Sequence, residues 1–177
     1  MQSSFRALTD TEIETAKKIF GNSIDYQKVR IFKGIPLLPF IKTAVAPCNS
    51  IFFPRSNCPD DFTCTTESHQ MWLIHELTHV WQYQNGFKPL LAGIWLALCG
   101  GYRHKKAYAY PDLESIRSFS DLNMEQQADM LAHYYAGKYL GWQNYVKQLP
   151  LFENILKEFL SNPNCKALLP SYQKQYT

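Results

Sequence analysis

The stretch His75-Glu76-Leu77-Thr78-His79 decides how this chain is read. On a helix, residues four apart lie on one face a turn above each other, so His75 and His79 present two imidazoles to one ion. Glu76 is rotated about 100° from His75, too far round to join the pair and close enough to reach a water beside it. Zinc held by three protein groups keeps a fourth position for water and lowers that water's pKa to roughly 7, where Glu76 can serve as general base. Three fixed positions are a moderate signal alone, and a third ligand must come from elsewhere in the chain.

Working outward, Thr65 or Thr66 can cap a helix running from about Glu67 to Asn85, with Gly86 at its end. The third ligand comes from a second helix, announced by Asn123 with Gln126 three residues later, and ending near Gly141. It offers Glu125 as ligand and Asp129, one turn on, as the carboxylate that accepts the free N–H of a ligand histidine. His133 lies another turn along and is the competing ligand; His69 and His104 are weaker candidates without helical pairing to the motif. A group that stabilises the oxyanion of an attacked carbonyl is also required. Tyr110, in the loop leading to Glu125, is preferred over Tyr108, His104 and His133 for that catalytic role. Trp72, Trp81 and Tyr83 read as core that holds the motif helix rigid.

The remaining sequence frames these two helices. Thr9-Asp10-Thr11-Glu12 has capping-box spacing and opens a helix that Gly21 stops. Val29 and Ile31, then Ile51-Phe52-Phe53 before Pro54, predict two short strands, the second placed to pair with an extended substrate. A further helix is predicted over residues 151–160. The element order gives an α+β, mainly helical fold with a small N-terminal sheet, in one domain over residues 1–177. The five cysteines lack a C-x-x-C pair, which argues against a structural zinc site; free thiols are expected, with Cys58 and Cys64 the first pair to test for a disulfide. A formal net charge of +3 leaves no nucleic-acid footprint, and Arg103-His104-Lys105-Lys106 reads as a solvated loop. Residues 1–8 lack the apolar core of a secretory signal, so the chain is expected to start in the cytoplasm. The apolar run 89–99 is far short of the roughly 20 residues of a membrane span, which predicts no stable membrane insertion; it reads as core or as a flap over the site.

The segment from His75 to Gln82, joined to Asn123-Met-Glu-Gln-Gln-Ala-Asp129, resembles zincin metallopeptidases of the gluzincin type. More narrowly, these motifs with Leu8-Thr-Asp-Thr-Glu-Ile13 and the region from Ala46-Pro47 to Pro54 look like small bacterial metallopeptidase domains found beside Rhs and VgrG proteins of type VI secretion. The resemblance covers roughly residues 8–141. It implies a zincin-like fold, a Zn2+ cofactor on His75, His79 and Glu125, and hydrolysis of peptide bonds in protein or in the peptide part of the cell wall. It also implies a peptidase toxin or processing protease delivered without a signal peptide, with a secretion-system carrier and an immunity protein as partners. A zinc-binding interaction module without turnover is the alternative reading.

Overall fold

The computed structural model describes residues 5–35, 42–98 and 107–170. Helix α1 (Asp10–Phe20) begins on the expected capping box: Thr9 accepts from the Glu12 N–H, while Glu12 reaches back to the Thr9 N–H. Gly21 ends it at φ 53°, a left-handed conformation that a side chain disfavours. Glu12 is fully buried and does more than cap. It forms a two-pronged ion pair with Arg6, both contacts 2.8 Å, and accepts from the Phe62 N–H at 3.0 Å. Asp61 beside it accepts from the hydroxyls of Thr9, Thr11 and Thr63. The start of α1 is thereby tied to the loop that leads into the motif helix.

Strands β1 (Phe5–Arg6), β2 (Arg30–Lys33) and β3 (Ser50–Phe53) form a three-stranded sheet in that order. β2 is antiparallel to β1 and parallel to β3, with Ile31 opposite Ile51. Side chains alternate across a strand, so Ile31, Ile51 and Phe53 enter the core while Phe32 and Phe52 stack at 4.6 Å on the other face. The sequence reading anticipates β2 and β3 and not β1, which is two residues long and carries no alternation. Val45 bridges the outer edge of β3, exchanging both main-chain hydrogen bonds with Phe52 at 2.9 and 3.1 Å. This corrects the expectation that a substrate strand adds directly to Ile51–Phe53: one edge faces β2 and the other, at Phe52, is taken by Val45.

Helix α2 (Glu67–Gln84) carries the motif, capped by Thr66, whose side chain accepts from the His69 N–H. Helix α4 (Met124–Tyr139) opens on the Asn123 and Gln126 capping box and packs along α2. Their shared interior holds Leu73, Leu77, Trp81, Met130, Leu131 and Tyr135, all fully buried or within 1% of it. Trp81 packs edge-on against Phe159 and donates Nε1–H to the Pro163 carbonyl, so the predicted core role of Trp81 holds. Helix α3 (Pro89–Leu98) lies between them in sequence and buries only Pro89, Ala92 and Leu96. α5 (Gln143–Val146) packs against α4 where Gly137 has no side chain; a Cβ there would stand 2.9 Å from the Tyr145 carbonyl carbon. The predicted helix 151–160 is two, α6 (Leu149–Ile155) and α7 (Lys157–Ser161), because the backbone at Leu156 (φ −85°, ψ 0°) leaves helical geometry. These residues make the fold mainly helical α+β with a small sheet.

Candidate metal centre

One turn of α2 and the first turn of α4 meet at the floor of a cleft of about 1030 Å³. His75 and His79 point the same way, their ring centroids 5.1 Å apart. Glu125 Oε2 lies 3.3 Å from His75 Nε2 and 3.2 Å from His79 Nε2. Bonds of about 2.0–2.1 Å to a tetrahedral ion place neighbouring ligand atoms roughly 3.3 Å apart, so the two histidine-to-carboxylate spacings match those of a zinc site. Two imidazoles and one carboxylate with a side open to the cleft is also the donor chemistry of a zinc site that keeps a position for water. The three ligand atoms lie within 4.8 Å of one another, the sole such His/Cys/Asp/Glu group among the described residues.

Each histidine is held from behind, and differently. His75 Nδ1 donates to Asp129 Oδ1 at 2.8 Å; the sequence reading expected Asp129 to support one of the two histidines without saying which. His79 Nδ1 donates to Gln82 Oε1 at 3.0 Å. Gln82 passes the contact on, its amide N–H groups bonding Gln127 Oε1 at 3.0 Å and the Met124 carbonyl at 3.1 Å. Gln127 in turn donates to the carbonyls of Phe119 and Leu168, both at 2.9 Å. Gln82 and Gln127 are fully buried, and among the described residues no buried side-chain polar atom lacks a hydrogen-bond partner. Sequence reasoning assigns neither glutamine a role. The available signal was position: Gln82 sits three residues after His79, on the same face of α2.

Glu76 lies beside the ligands and is 3% exposed. Burial raises its pKa, opposed by the charges of His75 and His79. Trp72, one turn earlier, donates Nε1–H to Glu76 Oε1 at 3.1 Å and lines the cleft, so it does more than fill core. Burial also opposes charge on His75, yet the hydrogen bonds to Asp129 and Glu125 carry its pKa well above the ordinary value. Glu125 is held ionised: burial works against it, and the neighbouring His79 and His75 outweigh that.

The other candidates divide by position. Tyr110 bonds His133, its hydroxyl 2.8 Å from Nδ1, and stands behind that imidazole, whereas His133 itself lines the cleft. Tyr145 stacks on the His133 ring, centroids 4.4 Å apart. Tyr108 also lines the cleft, with its ring 6.1 Å from that of His75. His133 is not one of the three converging ligand atoms. His69 is turned away, bonded to Asn57 and to Thr65 at the start of α2. His104 and the basic run 103–106 lie outside the described residues, as does Cys99; the other four cysteines are free thiols, including Cys58 and Cys64. No described helix is long and apolar enough to cross a membrane.

The fold and site define a mainly helical α+β protein with a His-His-Glu metal-binding geometry at the floor of an open cleft. No protein-family model matches the chain. It is 35% identical over 136 residues to the type VI secretion system spike protein VgrG2b of Pseudomonas aeruginosa, a match covering 75% of this chain and 13% of the spike protein's length. The solved effector domain of Pseudomonas aeruginosa VgrG2b superposes with a TM-score of 0.68 at 31% identity, covering 88% of this chain and 82% of that domain. The chain belongs to the family of the VgrG2b effector domain.

Proposed function

We propose that the chain is a zincin-like, zinc-dependent peptidase that acts as a type VI secretion effector on protein or cell-wall peptide, carried by a VgrG-type spike. The observation that carries this reading is the convergence of His75 Nε2, His79 Nε2 and Glu125 Oε2 at 3.2–3.3 Å beside a buried Glu76. Zinc bound there supplies a Lewis acid for a carbonyl oxygen and lowers the pKa of a bound water to roughly 7. The chain supplies the rest. Glu76 takes a proton from the attacking water and can return it to the leaving amine, and its burial brings its pKa closer to the working range of a general base. Trp72 fixes which carboxylate oxygen of Glu76 faces the reaction. Asp129 and Gln82 take the Nδ1 side of His75 and His79, which leaves each Nε2 available to hold an ion with Glu125. Tyr110 bonds His133 from behind, and His133 and Tyr108 line the cleft, which supports them over Tyr110 as the groups that meet a developing oxyanion. Family membership supports the effector role, since the related domain belongs to a secretion spike protein.

The test is metal content together with cleavage of a casein and muropeptide panel by wild type and Glu76→Gln. The variant should keep its zinc and lose at least about a hundredfold in kcat, the usual scale of general-base catalysis. A Glu76→Gln protein as active as wild type sinks the assignment. Zinc binding with no turnover of any substrate, plus a stable complex with a partner protein, favours the interaction-module alternative.

A further inference from the structure

We propose that the cleft selects an extended protein segment with a bulky apolar side chain next to the bond that is cut, in preference to a cell-wall peptide; this rests on the hydrolase reading above. One wall is the segment around Val45, which closes the outer edge of β3 through its bridge to Phe52. A second stretch of apolar lining comes from α3. Its buried face, Ala92 and Leu96, packs with Phe87, Ala107 and Met124, and so fixes the helix against the start of α4. Another face turns into the cleft: Pro89, Gly93 and Ala97 recur at helical spacing, with Leu90 and Ile94 beside them. Small residues between two large apolar ones leave a depression with greasy rims. Leu90 and Ile94 are 50% and 52% exposed, so this apolar wall has surface to give up to a ligand.

The charged groups of the described cleft are confined to its floor, where they are the metal ligands and their neighbours Glu76 and Asp129. A volume of about 1030 Å³ is at the upper end of ligand pockets and accommodates several residues of peptide. Walls of this kind reward an apolar side chain by removing it from water on both sides. Cell-wall peptides, short and made mainly of small or charged side chains, cannot collect that reward.

The experiment uses the zinc-loaded full chain with Glu76→Gln, titrated by fluorescence anisotropy with labelled ten-residue peptides that differ only in a central Leu, Phe, Ala or Glu. Purified muropeptides compete in a separate arm. Leu and Phe peptides should bind about tenfold or more tightly than the Ala peptide, the scale of burying one large apolar side chain. Gly93→Leu, which raises helix propensity and fills the depression, should shrink that ratio several-fold while the helix content by circular dichroism is kept. Equal affinity across the peptides, no peptide binding, or tighter muropeptide binding overturns the proposal. The same peptides incubated with the Glu76 protein separate the two ideas. Selective binding without any cleavage overturns hydrolysis and leaves the selectivity standing; cleavage at one rate regardless of the central residue does the opposite.

Discussion

Helices α2 and α4 bury polar groups, and α3, between them in sequence, exposes apolar ones. Glu76, His79, Gln82, Glu125 and Gln127 are at most 6% exposed, whereas Leu91, Ile94, Trp95 and Leu98 are between 47% and 75% exposed. Each inversion departs from the usual partition of side chains, and the two have different physical grounds. Buried polar groups are tolerable when each has its partner, and here every one does. Exposed apolar groups are tolerable singly, but a helix that shows this many marks a surface meant to be covered. The comparison teaches that α2 and α4 are organised around a fixed polar point, while α3 keeps most of its apolar surface outside the core.

The comparison breaks first, and hardest, at Glu125. Glu125→Ala removes the proposed third ligand and leaves His75 and His79 without their shared partner; zinc affinity should fall by more than a hundredfold, read by competition with a chromophoric chelator. Retained affinity would mean that another group completes the site. Gln82→Met comes next. It strands the His79 Nδ1–H and the Gln127 carbonyl oxygen inside the protein, with an expected loss of about 10–100-fold in zinc affinity and about 1–3 kcal/mol in stability. An unchanged chelator curve would show that the buried amide chain serves packing alone.

Asp61→Asn tests a polar cluster away from the cleft. Hydrogen bonds from Thr11, Thr63 and Thr9 outweigh partial burial and hold this carboxyl well below its ordinary pKa. A depressed folded pKa contributes stability that is present above the unfolded value of about 3.9 and is lost as pH falls below it. The variant should lose about 1 kcal/mol at pH 7 and show a flatter decline of Tm between about pH 4 and 2. An identical acid profile would remove Asp61 from the ledger of stabilising groups. The smallest effect belongs to α3: Leu98→Gln, at a position 75% exposed, should shift stability by no more than about 0.5 kcal/mol in chemical denaturation. A larger loss would show that this side chain is already packed and that the helix is core after all.

Much of this was legible along the chain because its signals are local. Thr9, Thr66 and Asn123 announce the starts of three helices, and the caps form where the spacing puts them. The four-residue step of His75 and His79 sets two imidazoles on one face whatever the helix packs against. The same periodicity on α4 sets Asp129 one turn after Glu125, beside a histidine of the motif, but does not say which histidine it supports. β1 escaped notice because two residues carry no period, and the break at Leu156 because Leu is an ordinary helix former.

What the sequence determines by itself, then, is the motif helix, its two histidines, and the neighbouring glutamate, since these depend on 3.6-residue geometry within one segment. Tertiary structure alone decides that Gln82 bonds Gln127 behind His79, that Tyr110 stands behind His133 while Tyr108 faces the cleft, and that α3 lines it. Those contacts join residues tens of positions apart, and a short side-chain hydrogen bond depends on how two helices are rotated and shifted. No local spacing encodes that rotation. It is fixed by how the core between α2 and α4 packs.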